Sequence, residues 1–254
     1  MNKNGLKSGI SKTKEFLLEF LFPPKCSVCG KILDINDGAL CGECLVKWNE
    51  EKEKECVRCK RIASFCTCNT KLNKTAIISY YSSCIMYESE FSKELVSALK
   101  YKRQQKLVKF MAEQLCNNFY AMYGVDVESC IIAYPPRSRK SLKKYGFDHA
   151  KMLAEELGKM IGLPVFHGMC HKGLKEQKYL NYEERAQNAF ESFYIKDPES
   201  AVVQLKGKTV ILVDDVTTTG ATAVCIAAFL HNSGADSVKF LSCARTPEPR
   251  KRNL

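Results

Sequence analysis

The chain has 254 residues, of which 45% are hydrophobic and 26% charged, and its formal net charge is +11. This length suits one large or two modest domains, and the composition excludes a fibrous or largely disordered chain. No apolar run approaches the roughly 18 residues of a membrane span, and the short run before Pro23 lacks a cleavage site, so we expect a cytoplasmic protein without membrane insertion. The positive charge favours a phosphorylated ligand or nucleic acid without distinguishing the two.

The predicted elements change character near residue 75. Residues 1–24 predict an amphipathic helix that stops at two consecutive prolines. Residues 25–74 are rich in cysteine and poor in apolar periodicity, so this block needs a metal site or cross-links to stabilise it in place of a large core. From residue 75 to residue 246 apolar runs alternate with helical patterns, which predicts a parallel α/β sheet. Residues 247–254 form a basic tail.

Within residues 75–246 the individual elements follow from hydrophobic periodicity. Continuous apolar runs predict strands, and apolar residues spaced three and four apart predict helices. The predicted strands cover 76–81, 130–134, 165–166, 209–213 and 238–244. The predicted helices cover 91–99, 107–115, 149–161 and 221–233.

The cysteines are concentrated in one short segment. The 14 cysteines include two quartets, each made of two closely spaced pairs that we call hooks: Cys26, Cys29, Cys41 and Cys44, then Cys56, Cys59, Cys66 and Cys68. Two hooks together supply the four thiolates of a closed, tetrahedral zinc site, and nothing in the sequence directs the export that a disulfide framework would need. We therefore predict two structural Zn²⁺ ions, with an iron–sulfur cluster as the open alternative. The remaining cysteines are predicted to be core thiols.

The segment Val210–Thr222, with the sequence VILVDDVTTTGAT, carries the clearest functional pattern. Its apolar residues predict a buried strand, and Asp214 and Asp215 follow at the carboxyl end, where open α/β sheets bind ligands. The small and hydroxyl-bearing residues that come next predict a turn into a helix, whose N-terminal N–H groups suit a phosphate. Two carboxylates cannot bind phosphate, but they suit the hydroxyls of a ribose or a metal ion.

Two other interpretations of this segment are weaker. A strand that ends in acidic residues also occurs in P-loop proteins, but the required glycine-rich loop is missing, since Val202 stands where its first glycine should precede Gly207. A purely structural turn would place two carboxylates at a buried strand end, which is costly without a ligand. The sequence therefore favours a sugar-phosphate site.

The same segment resembles the motif by which type I phosphoribosyltransferases bind phosphoribosyl pyrophosphate (PRPP). The layout of residues 25–246 is similar to that of the bacterial ComF family of competence-associated phosphoribosyltransferase-like proteins. The shared features are the cysteine hooks, Lys100-Tyr101, a proline-ended strand followed by basic residues at 134–139, the segment 146–149, and the spaced residues Gln177, Leu180, Arg185, Asn188 and Phe190. Asp148 and His149 depart from the family pattern, which has Asn and Gln at these positions.

The resemblance implies a type I phosphoribosyltransferase fold with a small N-terminal double zinc ribbon. In that family the aspartate pair, here Asp214 and Asp215, holds the ribose hydroxyls of PRPP. The resemblance places the 5′-phosphate at Thr218, Thr219, Gly220, Ala221 and Thr222. It places the pyrophosphate at Pro136, Arg137, Ser138 and Arg139, in a turn that often contains a cis peptide bond, and Mg²⁺ accompanies PRPP.

The function implied is transfer of phosphoribose to an unidentified nitrogen acceptor, with release of pyrophosphate and with Asp214, Asp215 and Arg137 as catalytic residues. Lys172, Gln177, Tyr182 and Arg185 are candidates for the acceptor side. The alternative is a non-catalytic PRPP sensor or a module associated with single-stranded DNA. The family further implies a link to DNA uptake and to DNA-processing partners of the competence machinery.

Overall fold

The computed structural model describes residues 23–34, 37–68, 72, 76–122, 126–173 and 190–247. The predicted N-terminal helix up to residue 22 and the predicted tail beyond residue 247 lie outside these residues. The spaced motif from Gln177 to Asn188 lies outside them as well. Both cysteine quartets and the aspartate pair are described.

A four-stranded parallel sheet forms the centre of the molecule. The described strands are β1 (Ile78–Met86), β2 (Cys130–Ala133), β3 (Met169–His171), β4 (Phe193–Ile195), β5 (Thr209–Thr217) and β6 (Ser237–Arg245). In the sheet the order is β1, β6, β5, β2, and every pair of neighbours runs parallel. β3 and β4 form a separate antiparallel pair. The parallel sheet confirms the predicted α/β class.

One described α-helix precedes β1, and the others lie between strands in the chain. The described α-helices are α1 (Gly42–Glu53), α2 (Glu90–Tyr101), α3 (Gln105–Tyr120), α4 (Arg139–Tyr145), α5 (His149–Ile161), α6 (Pro198–Leu205) and α7 (Ala221–Asn232). α5 has the predicted bounds, because the Asp148 side chain accepts a hydrogen bond from the N–H of Lys151 and Gly162, with φ of +82°, ends the helix. None of the described helices has the length and apolar run required to span a membrane.

The side chains of β5 contribute to cores on both faces of the sheet. Ile211 and Val213 belong to one hydrophobic cluster, whereas Val210 and Leu212 belong to the other. All four are at most 1% exposed. Burial on both faces is typical of a parallel strand and explains the continuous apolar run in the sequence. The polar residues that follow the run therefore mark the point where β5 reaches the edge of the core.

Trp48 joins the cysteine-rich segment to the sheet region. Its side chain, in α1, is 1% exposed, and its ring meets that of Phe110 in α3 edge to face, with the centroids 5.2 Å apart. Cys26, Cys41 and Cys44 belong to the same hydrophobic cluster as the helices on this face of the sheet. The first quartet therefore packs into a shared core, which a block of this size could not build alone.

Some strands differ from their predicted bounds. β1 extends to Met86, well beyond the predicted end, because the hydroxyls that interrupt its apolar pattern are paired inside the sheet: Ser83 Oγ and Ser242 Oγ lie 2.7 Å apart. The predicted strand at 165–166 is reduced to one parallel bridge between Val165 and Ile132. The short pair β3 and β4 was not predicted, since three residues are too few to show an alternating pattern.

Candidate functional site

Asp214 and Asp215 lie near the carboxyl end of β5, which is flanked by β6 and β2. Successive side chains of a strand point to opposite faces, so Asp215 shares the face of Val213 while Asp214 is on the other. Asp215 is 2% exposed, and Asp214 is half-buried. The main-chain N–H of Asp215 also donates to Asp214 Oδ1 at 2.8 Å. The pair thus stands where parallel sheets bind ligands, and carboxylate oxygens of both residues lie within 4.8 Å of each other and of a ring nitrogen of His149.

Two basic side chains meet the carboxylate of Asp215. His149 Nε2 lies 2.9 Å from Asp215 Oδ2, and Lys100 Nζ lies 3.3 Å from the same oxygen. Lys100 is in the last turn of α2, and His149 is the first residue of α5. The ends of two helices on one face of the sheet therefore converge on this oxygen.

The two aspartates have opposite pKa shifts although burial raises the pKa of both. For Asp215 the charges and hydrogen bonds of His149 and Lys100 outweigh burial and bring the pKa below its ordinary value. For Asp214 burial and repulsion from Asp215 add together, so its pKa lies well above the ordinary value. The two aspartates in turn raise the pKa of Lys100 against the effect of burial. An ionised Asp215 therefore stands beside an Asp214 that retains a proton more readily.

The phosphate loop, residues 218–222, connects β5 to α7. Gly220 stands at the N-cap position of α7 with φ of +79°, a conformation that favours glycine. Thr219 Oγ1 accepts a 3.4 Å hydrogen bond from the N–H of Ala221, and no side chain caps the helix beyond that. The first turn of α7 also contains no acidic residue. Its N–H groups and partial positive charge are thus available to an anion.

The turn at 134–139 follows β2, the strand next to β5. The Arg137 guanidinium donates through Nη1 to the carbonyl oxygen of Phe147 at 3.2 Å and through Nη2 to the carbonyl oxygen of Lys100. The main-chain N–H of Arg137 donates to Asp148 Oδ2 at 2.7 Å. Ser138 caps α4, accepting from the N–H of Ser141 at 3.2 Å. Arg137 therefore ties this turn to the end of α2, where Lys100 meets Asp215.

The turn lacks the cis peptide bond that often occurs at this place in the family that the sequence resembles. The described backbone contains no cis peptide bond, so Pro135 and Pro136 both follow trans bonds. A trans bond is the commoner state even before proline. The basic residues that follow form α4, because Ser138 supplies an N-cap and Gly146, with φ of +75°, ends the helix.

The contacts of Lys100 and His149 with Asp215 were not predicted, although the sequence holds a signal for each. Lys100 lies one turn after Val96, so it continues the buried stripe of α2 toward the sheet edge. His149 directly follows the N-cap of α5 and is only 9% exposed. A basic residue at the end of an apolar stripe therefore pointed to a buried acidic partner. Of the predicted acceptor candidates, Lys172 is described and exposed, while Gln177, Tyr182 and Arg185 lie outside the described residues.

Each cysteine quartet is brought together as predicted. Within each quartet the four sulfurs lie within 4.8 Å of one another. Cys29 Sγ and Cys41 Sγ are 3.7 Å apart in the first quartet, and Cys59 Sγ and Cys66 Sγ are 3.6 Å apart in the second. A tetrahedral shell with Zn–S bonds of about 2.3 Å separates its sulfurs by about 3.8 Å. Each quartet therefore fits one zinc ion.

The two quartets are built on the same backbone hook. The N–H of Cys26 donates to the carbonyl oxygen of Lys31 at 2.8 Å, and the N–H of Cys56 donates to that of Arg61 at the same distance. Residues 30 and 60 both have positive φ, at +75° and +59°, although the second is a lysine. The hook therefore repeats after thirty residues, as the paired cysteine spacing suggested.

The first cysteine of each quartet has a lowered pKa, which favours metal binding. Although burial opposes it, backbone N–H groups directed at the sulfur lower the pKa of Cys26 to about 6 and that of Cys56 to about 7. Zinc binds thiolates, so a lowered pKa reduces the cost of releasing the proton. None of the 14 cysteines forms a disulfide bond.

Comparison with known protein families supports this arrangement. The model of a phosphoribosyl transferase domain matches residues 170–253, which contain Asp214, Asp215 and the phosphate loop. The model of a double zinc ribbon domain matches residues 17–74, which contain both quartets. No curated protein matches the chain.

Solved structures of phosphoribosyltransferases are similar at low identity. Glutamine PRPP amidotransferase from B. subtilis, complexed with ADP and GMP, is 16% identical with a TM-score of 0.38, over 58% of this chain and 30% of that one. Adenine phosphoribosyltransferase from Leishmania tarentolae is 15% identical with a TM-score of 0.36, over 59% and 74% of the two chains. The enzyme of the same name from Thermoanaerobacter pseudethanolicus is 17% identical with a TM-score of 0.35, over 56% and 82%. The alignment thus spans less than a third of the amidotransferase.

The sheet, the quartets and the two family models define the class of the protein. The chain combines a phosphoribosyltransferase fold, a parallel sheet flanked by helices, with an N-terminal double zinc ribbon.

Proposed function

We propose that the protein binds PRPP with Mg²⁺ and transfers its phosphoribosyl group to a nitrogen nucleophile, releasing pyrophosphate. One observation carries the proposal: an aspartate pair near the carboxyl end of β5 is followed, after a short loop, by a helix whose N-terminus has no acidic residue and no strong cap. A ribose 5-phosphate carries vicinal hydroxyls and a phosphate. The hydroxyls suit the aspartate pair, and the phosphate suits the helix N-terminus that follows it in the chain.

The ribose hydroxyls are assigned to Asp214 and Asp215. The ionised Asp215 accepts hydrogen bonds, and Asp214, whose pKa is raised, can donate one as well as accept. Because Lys100 and His149 hold the Asp215 carboxylate in place before ligand binding, little reorganisation is needed when the sugar arrives.

The 5′-phosphate is assigned to the phosphate loop. Thr218 is exposed and Thr219 and Thr222 are half-buried, so their hydroxyls can supplement the N–H groups of α7. The helix N-terminus favours the negative charge. These contacts bind the part of PRPP that does not react, and they position the anomeric carbon beside the site proposed for the pyrophosphate leaving group.

The pyrophosphate is assigned to the turn of Pro136, Arg137, Ser138 and Arg139. A guanidinium carries five N–H donors, and the carbonyl contacts of Arg137 use two of its nitrogens, which leaves donors for an anion. Arg139 is exposed at the start of α4. Both cations would neutralise charge as the bond at the anomeric carbon breaks through an oxocarbenium-like state. Mg²⁺, held mainly by pyrophosphate and ribose oxygens, would supply further charge neutralisation.

The proposal is tested by pyrophosphate release from PRPP and Mg²⁺ with each nucleobase in turn. We expect release with at least one acceptor by the unaltered protein and loss of release in Asp214→Asn and Asp215→Asn. Asp236→Asn is the matched control, since Asp236 is exposed at the opposite end of the sheet, directly before β6. Zinc content should be the same in all four proteins. Release that persists in both site variants would refute the assignment of the ribose.

A second candidate is a PRPP sensor without turnover that acts in DNA uptake together with DNA-processing partners. It rests on the resemblance to the ComF family and on the net charge of +11. Binding of PRPP without pyrophosphate release for any nucleobase would favour it. Salt-dependent binding of a labelled single-stranded oligonucleotide would support the DNA connection, and its absence would remove it.

The organisation proposed from the sequence completes this account: a helix at 1–24, the double zinc ribbon at 25–74, the phosphoribosyltransferase-like unit at 75–246 and a tail at 247–254. Two structural zinc ions are proposed, one in each quartet. Zinc thiolates and free cysteines favour a reducing compartment, which supports the proposed cytoplasmic location.

A further inference from the structure

Arg245 is a buried cation between the second cysteine quartet and the sheet. It is the last residue of β6, and its side chain is 1% exposed. Its Nη1 donates to the carbonyl oxygen of Cys66, and its guanidinium carbon lies 5.4 Å from the centroid of the Tyr81 ring. Among the described residues, its Nε and Nη2 have no hydrogen-bond partner. The ion pairs found in the described part of the chain involve other residues.

A buried guanidinium without a carboxylate is costly unless another negative charge compensates it. The second quartet supplies that charge, since four thiolates around one divalent zinc ion carry a net negative charge. Cys66, whose carbonyl oxygen binds Arg245, is itself a member of the quartet. Met86, the last residue of β1, packs with Cys56 and Cys66 in one small hydrophobic cluster. The quartet therefore lies against the carboxyl ends of β1 and β6.

The backbone of Arg245 also fixes the end of β5. Arg245 is paired in register with Thr217, the last residue of β5, and the N–H of Thr246 donates to the carbonyl oxygen of Thr217 at 2.8 Å. On its other side, the carbonyl oxygen of Arg245 accepts from the N–H of Tyr87 at 2.6 Å. Thr217 directly precedes the phosphate loop. A single residue thus contacts the main chain of a quartet cysteine through its side chain and pairs through its main chain with Thr217, the residue before the loop.

We propose that Arg245 is a positioning residue that couples occupancy of the second zinc site to the order of the phosphate loop. With zinc bound, the anionic thiolate shell holds the guanidinium and the ends of β6 and β5 are fixed. Without zinc, the buried cation lacks its compensating charge, and the end of β5 loosens together with the loop. The first quartet packs against α3 through α1 and is not part of this connection. The identity of the loop's ligand, PRPP, is taken from the proposed function.

The first test measures zinc release from the full-length, zinc-replete protein to a colorimetric chelator. Arg245→Met removes the charge and keeps most of the side-chain volume, whereas Arg245→Lys keeps the charge. We expect Arg245→Met to release one of two zinc ions at least about tenfold faster than the unaltered chain, the range typical for loss of an outer partner of a metal site. Arg245→Lys should stay closer to the unaltered rate. Equal release rates in Arg245→Met and the unaltered chain would overturn the charge compensation.

Lys31→Met is the matched control for this test. Lys31 is an exposed cation beside the first quartet, paired with Glu43 at 2.7 Å, so we expect its removal to leave both release rates unchanged. Faster release of the second zinc in Lys31→Met as well would mean that general loss of positive charge explains the effect, which would overturn the assignment to Arg245.

The second test measures hydrogen exchange at the amides of 217–222 and needs neither PRPP nor activity. Cys68→Ser disables the second quartet and Cys29→Ser the first. We expect exchange in this segment to become at least about tenfold faster in Cys68→Ser, as local opening becomes easier, and to stay unchanged in Cys29→Ser. Unchanged exchange in Cys68→Ser would overturn the coupling. If exchange is faster in Cys68→Ser but the unaltered protein does not bind PRPP, the coupling is upheld and only the proposed ligand is refuted.

Discussion

His149 Nε2 lies 2.9 Å from Asp215 Oδ2, and Lys100 Nζ meets the same oxygen at 3.3 Å. The carboxylate is 2% exposed, so it depends on these two partners for the charge stabilisation that water would otherwise provide. The partners come from the end of α2 and the start of α5, and Arg137 ties the same end of α2 to the turn after β2. The geometry of the proposed ribose site is therefore set by helix termini on one face of the sheet.

Replacing Lys100 by Met should destabilise the protein by about 1.5 to 3 kcal/mol, the range for loss of a hydrogen bond to a buried charge. Asp215→Asn should lower the free energy of unfolding less in the Lys100→Met background than in the unaltered chain. In Lys100→Met the buried carboxylate has already lost a partner, so removing its charge costs less. Urea unfolding of the two single variants and the double variant measures the coupling. Strictly additive losses would show that Lys100 does not stabilise Asp215.

His149 should act through its 2.9 Å contact with Oδ2 of Asp215. His149→Gln keeps a donor of similar reach, so PRPP affinity should stay within about threefold, a change of less than 1 kcal/mol. His149→Leu removes the donor from a buried carboxylate, and affinity should fall by about tenfold or more, in line with a loss of 1 to 3 kcal/mol. Calorimetric titration of PRPP into each variant measures the two affinities. Equal losses would contradict a hydrogen-bonding role.

Gly220→Ala should impair phosphate binding more than stability. The φ of +79° strains any residue with a side chain and moves the N–H groups that open α7, so PRPP affinity should fall at least about tenfold while stability falls by about 1 kcal/mol. Gly207→Ala is the matched control, since Gly207 has φ of +70° and open space around it but precedes β5 at the other end. It should lose similar stability and keep full affinity. Loss of affinity in Gly207→Ala would show that the effect is global.

Stability should fall on the alkaline side because of buried thiols. Burial raises the pKa of Cys84 and of Cys225 to about 12, above the ordinary value of 9.0 that applies to the unfolded chain. The folded state therefore retains these protons, and the stability that they contribute is complete below about pH 9 and is lost as the pH rises toward 12. Each thiol contributes a slope of about 1.4 kcal/mol per pH unit in that window.

Urea unfolding of the unaltered chain and of the double variant Cys84→Ala, Cys225→Ala measures this slope between about pH 8 and 10.5. The double variant should be less stable at neutral pH, because it loses buried volume, but its stability should fall less steeply. Parallel profiles would contradict the assignment of the slope to these thiols.

Much of the fold could be predicted because its parallel strands are buried on both faces. The run 209–213 indicated β5 and therefore the location of Asp214 and Asp215, and the cysteine spacing indicated both quartets. β1 was predicted too short, since the pairing of Ser83 with Ser242 joins residues 159 positions apart and leaves no local signal.

The sequence places Lys100 and His149 at helix ends, but it does not show that Asp215 is their partner. Lys100 and His149 are separated from Asp215 by long stretches of chain, and only the packing of α2 and α5 on the sheet brings them to it. The role of Arg245 could not be predicted either, because its compensating charge comes from cysteines at the opposite end of the sequence. Local pattern predicts elements and motifs, whereas contacts between motifs depend on tertiary packing.

The most direct test of the central claim is a calorimetric titration of PRPP with Mg²⁺ into the zinc-replete protein, alongside the double variant Asp214→Asn, Asp215→Asn. The account predicts saturable binding by the unaltered chain and no measurable binding by the variant, with equal zinc content in the two. Absence of binding to the unaltered chain, or equal binding by both, would contradict the assignment of this sheet edge to PRPP.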